Sequence, residues 1–362
     1  MCSHPDRLHA AVTAIEYYLP DEVLTNDQLA EEYPELPAAR IAAKTGIRER
    51  HIAAPEECTS DLAVRAARKL FDSGAAEPND IDVLLLCTQT PDYFLPTTAC
   101  MVQERLGIST EAGALDFNLG CSGFVYGLGI AKGLIETGQA DSVLLVTSDT
   151  YSKLLRESDR GVRTLFGDAA AATLIETLPP DSEPHIEAPV WGTDGRGAPN
   201  LIVKGGAARS WSDGGVAATH CLEMNGPEIF KFAASVVPAL VENVLQRTCK
   251  TLSDIDLFVF HQANKTLLDH LRQKIGIPPE RFYLALEDCG NTVASTIPIA
   301  LKRALLDGTL RAGQLVLLAG FGVGYSWAGT VIRWPSGADA RPRRTPWSGF
   351  SGIECRPKRE TA

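Results

Sequence analysis

The stretch Asp116-Phe117-Asn118-Leu119-Gly120-Cys121-Ser122-Gly123-Phe124 decides how the chain folds. An apolar, strand-like run ends here, and a thiol follows at a Gly-flanked turn. From Phe124 to Thr137 the sequence is apolar nearly all round, and Gly138 supplies a stop. Gly127, Gly129 and Gly133 let neighbours approach closely. The pattern predicts a buried central helix with Cys121 at its N-terminus. Two effects then act on the thiol. The helix end favours a thiolate, and free backbone N–H groups can hold an oxyanion. A buried free Cys is otherwise a small core residue, and this stretch alone leaves both readings open.

Outward from it, the chain echoes itself. Asp80-Ile81-Asp82-Val83-Leu84-Leu85-Leu86-Cys87 resembles Asp254-Ile255-Asp256-Leu257-Phe258-Val259-Phe260-His261, and each follows an amphipathic helix. Cys121 opens a helix that leads to the strand 141–146. Gly290-Asn291-Thr292 opens a helix that leads to the strand 313–318. Strand, helix and strand recurring in one order predict two similar α/β halves with mostly parallel sheets. Two sheets sharing a buried helical layer would bring both helix N-termini to one site.

The remaining segments fit this frame. Residues 8–19 read as a first strand, Glu22 to Tyr33 as a helix and Ala38 to Lys44 as a short helix stopped by Thr45-Gly46. Asp61 to Phe71 is amphipathic, with Ser60 as its expected N-cap. Residues 178–223, rich in Pro, Gly, Ser and Asp, read as loops with short strands between the halves. The expected division is 1–177, 178–334 and a basic, Pro-containing tail over 335–362, read from its composition as mobile.

Composition excludes several classes. A net charge of -11 argues against a general nucleic-acid binder. No apolar run approaches the roughly 20 residues of a membrane span, and the N-terminus lacks the apolar core of a signal peptide. The nine cysteines are scattered, without a CxxC pair or zinc spacing. A reducing cytoplasm, free thiols and no metal are expected.

Three further groups carry chemistry. His261, in His261-Gln262-Ala263-Asn264, ends a buried strand, where open α/β sheets place functional residues. A His there is otherwise a satisfied core residue. Asn291, in Asp288-Cys289-Gly290-Asn291-Thr292, reads alone as a helix cap. Gly320-Phe321-Gly322-Val323-Gly324-Tyr325 is a Gly-rich turn whose amides can line an oxyanion site. It lacks the Lys-Ser or Lys-Thr of a phosphate-binding loop.

Together these pieces resemble the thiolase superfamily, and within it the β-ketoacyl-[acyl carrier protein] synthase III family. The resemblance spans residues 8 to 334. It rests on Lys44-Thr45-Gly46-Ile47-Arg48-Glu49-Arg50, the Cys121 elbow, Asp159-Arg160-Gly161, Phe166-Gly167-Asp168-Ala169-Ala170, His261-Gln262-Ala263-Asn264, Gly290-Asn291-Thr292 and Gly320-Phe321-Gly322. It implies a thiolase-like fold of two duplicated α/β halves in a five-layered αβαβα sandwich.

The resemblance also implies roles. Cys121 would take an acyl group from a coenzyme A or carrier-protein thioester. His261 and Asn291 would bind the enolate oxygen formed as malonyl-[acyl carrier protein] loses carbon dioxide, in a decarboxylative Claisen condensation. The amides of Cys121 and Val323 would form the oxyanion hole. No cofactor is implied beyond coenzyme A or phosphopantetheine as part of the substrates. Arg160 matches a coenzyme A contact. Lys44 stands where relatives often carry Arg, and Arg40 where many carry a Trp. Phe230 matches a residue at the entrance, and Pro227 replaces a common Asn. Lys265, Arg272 and Lys274 form a basic face that suits an acidic carrier protein. Leu95 matches a position that a partner subunit inserts into the acyl pocket, which implies a two-fold dimer. The rival functions are acyl transfer to a hydroxyl or amine without decarboxylation, and a silent subunit of a ketosynthase pair. Fatty-acid initiation and specialised-metabolite synthesis are both open pathways.

Overall fold

The computed structural model describes residues 8–179, 182–211 and 220–335. The expected 335–362 tail, Pro335 apart, lies outside the described residues.

The first half begins with β1 (His9–Tyr18), β2 (Glu22–Thr25), α1 (Asn26–Glu32), α2 (Ala38–Thr45), β3 (Glu49–Ile52) and α3 (Thr59–Asp72). It continues through β4 (Val83–Cys87), α4 (Thr98–Leu106), β5 (Gly113–Phe117), α5 (Gly123–Glu136), β6 (Ser142–Asp149), α6 (Arg160–Arg163) and β7 (Ala169–Leu178). The second half holds β8 (Val190–Thr193), β9 (Leu201–Val203), α7 (Ala208–Trp211), β10 (Leu222–Met224) and α8 (Gly226–Arg247). Then come β11 (Leu257–Phe260), α9 (Lys265–Ile275), α10 (Thr296–Leu306), β12 (Leu315–Gly322) and β13 (Ser326–Arg333).

The internal echo is visible in the sheets. One has the order β1-β7-β6-β4-β5, the other β11-β12-β13-β8. In the first, β4 runs parallel to β5 and β6, while β7 is antiparallel to β6 and β1. In the second, β11 is parallel to β12, and β13 is antiparallel to β12 and β8. The counterpart of β5 is reduced to one parallel bridge, Phe258 to Phe282.

Helices α5 and α10 fill the space between the sheets. Phe124, Leu128 and Ile135 of α5 and Ile297, Leu301 and Ala304 of α10 share a core with Leu85, Leu145 and Ile175 of one sheet and Val259, Val316 and Leu318 of the other. The outer faces are covered by α3 and α4 on one side and by α8 and α9 on the other. This gives the αβαβα order. Glycines make the middle layer possible: a Cβ on Gly127 would lie 2.6 Å from Leu145, and one on Gly123 would lie 2.2 Å from Cys87 Sγ. Among the described residues no helix is long and apolar enough to cross a membrane.

Two local expectations need correction. Glu22–Thr25 is a strand, not the first turn of a helix, because it pairs with β3. Thr25 then caps α1 in a capping box with Gln28. Helix α3 starts two residues earlier than expected, with Cys58 as N-cap and Asp61 closing the box. Ser60 is buried inside the helix, where its hydroxyl accepts from Arg105 and its N–H donates to Asp92.

Candidate active site

The ends of three structural elements meet at a cavity of about 580 Å³ that is lined by Cys121, His261 and Asn291 among others. Each is delivered by a different piece of the duplicated frame. Cys121 stands just before α5, His261 just after β11, and Asn291 just before the single 3₁₀ turn Val293–Ser295 that leads into α10.

Cys121 is 8% exposed. Strand β12 crosses directly over it, and only glycine fits there. A Cβ on Gly322 would lie 2.8 Å from Cys121 Cβ and 2.9 Å from its Sγ, and one on Gly320 would lie 2.8 Å from the Cys121 carbonyl. The elbow is tied to the next turn, since the Ser122 and Ser326 hydroxyls are 2.7 Å apart and Ser326 also donates to the Val323 carbonyl at 2.8 Å. Val323 thus sits beside the elbow, with its side chain close to Gly120.

The thiolate expectation does not hold for the resting site. Burial, followed by the nearby Asp149, pushes the Cys121 thiol up to about 12. Burial likewise keeps Asp149 protonated to about pH 8, so burial itself dominates at neutral pH. The rise from 9.0 corresponds to about 4 kcal/mol. A helix N-terminus supplies at most about 2 kcal/mol in partly buried settings. In the resting site burial favours the Cys121 thiol over its thiolate.

His261 is 2% exposed. Its backbone N–H donates to the Ala319 carbonyl at 2.8 Å, and its ring meets Phe321 edge-on with centroids 5.6 Å apart. Burial drives its pKa down to about 3, against the favourable Val293 carbonyl. The ring is therefore neutral across physiological pH. Its Nδ1 lies 2.8 Å from the Thr296 hydroxyl.

Asn291 is 5% exposed. Its Oδ1 accepts from the Val293 N–H at 3.0 Å. This fixes the side chain and leaves the amide NH₂ as the group available to the cavity. Backbone bonds from Asn291 to Leu165 and from Gly167 to Asn291 hold the loop against the first half. Gly290 is required here, since it has φ of 69° and a Cβ would lie 2.8 Å from the Leu165 carbonyl.

Of the expected channel residues, Arg40, Lys44, Arg160, Pro227 and Phe230 all line the cavity. Arg160 is paired with Glu35 across the mouth. Phe230 packs on His270 with centroids 5.1 Å apart. Leu95 is 79% exposed, next to the exposed Tyr93 and Phe94, and does not line the cavity. The basic face is used locally: Lys265 pairs with Asp269, Arg272 donates to Ile277 and Lys274 to Ala234. Asp168 is buried and accepts from the Ala53 and Ser152 backbones, both at 2.8 Å, which is a structural role.

Sequence reasoning missed Thr296, Glu35 and Asp149. Thr296 opens α10 after the 3₁₀ turn Val293–Ser295, and its proximity to His261, far away in the sequence, had no sequence signal. Glu35 lies in a loop whose partner is far along the chain. Asp149 ends β6, the counterpart of the functional β12, and that symmetry was a usable signal.

A family model described as 3-oxoacyl-[acyl-carrier-protein (ACP)] synthase III matches residues 115–195. Its C-terminal companion matches residues 245–334. The chain is 36% identical over 331 residues to a protein of Caldanaerobacter subterraneus subsp. tengcongensis named beta-ketoacyl-[acyl-carrier-protein] synthase III, covering 91% of this chain and 99% of that one. A crystal structure of a 3-oxoacyl-(acyl-carrier-protein) synthase III superposes with a TM-score of 0.88 at 52% identity, covering 90% of this chain and 100% of that one. The priming beta-ketosynthase of the R1128 polyketide pathway gives a TM-score of 0.84 at 29% identity, covering 92% and 99%.

Proposed function

Because this chain belongs to the 3-oxoacyl-[acyl-carrier-protein] synthase III family, we propose that Cys121, His261 and Asn291 are its catalytic residues. The protein is an acyltransferase that condenses a Cys-bound acyl group with malonyl-[acyl carrier protein]. The observation that carries the assignment is the meeting of these three side chains at one cavity.

The geometry supports a two-stage reaction. An acyl thioester of coenzyme A or a carrier protein enters past Arg40, Lys44 and Arg160, whose cations suit phosphate groups. The Cys121 sulfur attacks its carbonyl. The Cys121 and Val323 amides stabilise the tetrahedral oxyanion, and the Ser122–Ser326–Val323 hydrogen bonds hold them in place. In the second stage the malonyl thioester loses carbon dioxide. His261 and the Asn291 NH₂ hold the enolate oxygen, and the enolate carbon attacks acyl-Cys121. Such a cycle is ping-pong. In transfer to a hydroxyl or amine Asn291 would only orient His261, whereas condensation uses its amide as an enolate donor, and a silent subunit would need none of the three.

The same reading includes carrier docking near Lys265, Arg272 and Lys274, and a two-fold dimer. The dimer is supported by β5, which is the edge strand of its sheet and exposes Leu115, and by the exposed Tyr93, Phe94 and Leu95. Sedimentation at the mass of one 38.9 kDa chain would contradict it. A reducing cytoplasm is supported by the described cysteines, all of which are free.

The test of the nucleophile is direct. An acyl thioester should add one acyl mass per chain at Cys121, and Cys121→Ser should lose it. An adduct at Cys87 or Cys289 would overturn the assignment.

A further inference from the structure

The mouth of the cavity lies between two walls. The segment from α1 to α2 supplies Arg40 and Lys44, and α6 with its N-cap supplies Asp159 and Arg160. Side chains cross from one wall to the other. Glu35 pairs with Arg160, Glu32 pairs with Arg163, and the Tyr33 hydroxyl donates to the Glu157 carbonyl. Arg163 is 17% exposed and also donates to the Tyr33 hydroxyl at 3.3 Å, so this part of the crossing is packed. The Glu35–Arg160 pair is open by contrast, with Arg160 57% and Glu35 58% exposed. Asp159 is occupied within its own wall, where it accepts from the Gly161 and Val162 N–H groups at 3.0 and 3.3 Å. Among the described residues the side chains of Arg40 and Lys44 have no ion-pair partner. Of these three cations, Arg160 is the one that already holds an anion.

We infer that Glu35 is a specificity-determining residue whose carboxylate competes with the phosphates of a coenzyme A thioester for Arg160. This rests on the reading of the cavity as an acyl-thioester site. Carboxylate and phosphate are both oxyanions that seek the same planar N–H fork. A phosphate approaching Arg160 must either displace Glu35 or sit beside it. The first gives up an ion pair, and the second brings like charges together. Exposed pairs are weak, so the competition tunes affinity and does not forbid binding. The Glu32–Arg163 and Tyr33–Glu157 contacts do not involve Glu35, so the walls stay tied when Glu35 lets go. The penalty grows with the charge of the ligand at the mouth. Coenzyme A brings a pyrophosphate and a ribose phosphate there, whereas a carrier-bound arm brings a single phosphodiester. Glu35 therefore weighs the choice of acyl donor toward carrier-protein thioesters.

Isothermal titration with coenzyme A itself reads the competition without any reaction. Glu35→Gln keeps the size of the side chain and removes its charge. It should bind coenzyme A about two- to fivefold more tightly than wild type at low salt, and the gain should shrink as salt screens the exposed charges. Arg160 tests the route. Arg160→Gln should weaken binding, and adding Glu35→Gln to it should restore little or nothing. With acyl donors, the ratio of kcat/KM for acyl-coenzyme A to that for the same acyl group on a carrier protein should rise by a similar factor in Glu35→Gln, through KM. No gain in coenzyme A affinity on Glu35→Gln, including no detectable binding by either protein, would overturn the inference. So would a gain that survives Arg160→Gln in full, or a donor ratio that does not move. A protein that takes no acyl group onto Cys121 from either donor would refute the acyl-transfer reading, while the titration would still decide the role of Glu35.

Discussion

Gly322→Ala is the sharpest perturbation of the nucleophile that leaves its chemistry intact. A methyl group at this position would lie 2.8 Å from Cys121 Cβ and 2.9 Å from Sγ. Ordinary contacts begin near 3.4 Å, so one side must yield by about 0.6 Å. β12 is a central strand of its sheet, hydrogen-bonded to both β11 and β13, and resists movement. The Cys121 elbow is the softer side. Overpacking of this kind costs roughly 1–3 kcal/mol of stability. The reacting sulfur is displaced by a large part of the 1 Å that can cost about a hundredfold in rate. Acylation should therefore fall about ten- to a hundredfold while the melting temperature drops only modestly. Gly133→Ala is the control, since a Cβ there meets nothing within 4 Å and alanine favours the helix. Stopped reactions read by intact mass give the acylation rate. A Gly322→Ala protein that acylates at the wild-type rate would show that β12 does not set the position of the thiol.

Two further outcomes follow from the site. Asn291→Ala should still form acyl-Cys121, yet lose roughly a hundredfold or more in condensation, since one enolate donor is gone; equal loss in both stages, read by single-turnover mass spectrometry, would contradict its assigned role. Asp149 keeps its proton to about pH 8 in the fold, whereas the unfolded chain releases it near pH 4, so rising pH between these values erodes stability. Asp149→Asn keeps the acceptor for Gln89 and should gain in melting temperature relative to wild type as pH rises from 5 to about 8. A difference that does not change with pH would refute the buried, protonated carboxyl.

Much of this was readable in the sequence, because periodicity and turn chemistry act locally. The apolar runs 81–87 and 254–260 announced the paired central strands, and glycines announced the elbow and the crossing β12. The Cys, His and Asn stood out because each follows a strand or precedes a helix. What stayed hidden depends on distant partners. Glu22–Thr25 became a strand only because β3 lies beside it. Cys58 displaced Ser60 as cap because Asp92 and Arg105 occupy Ser60. The thiol state of Cys121 depends on burial by the second half, which no local pattern reports.

Carbon dioxide release tests the central claim most directly. Wild type, acylated at Cys121 and supplied with malonyl-[acyl carrier protein], should release one carbon dioxide for each acyl group consumed and form the β-ketoacyl carrier protein. Asn291→Ala and His261→Ala should release it far more slowly. Loss of the acyl group to an alcohol or amine, with no carbon dioxide released from any malonyl carrier, would contradict the account.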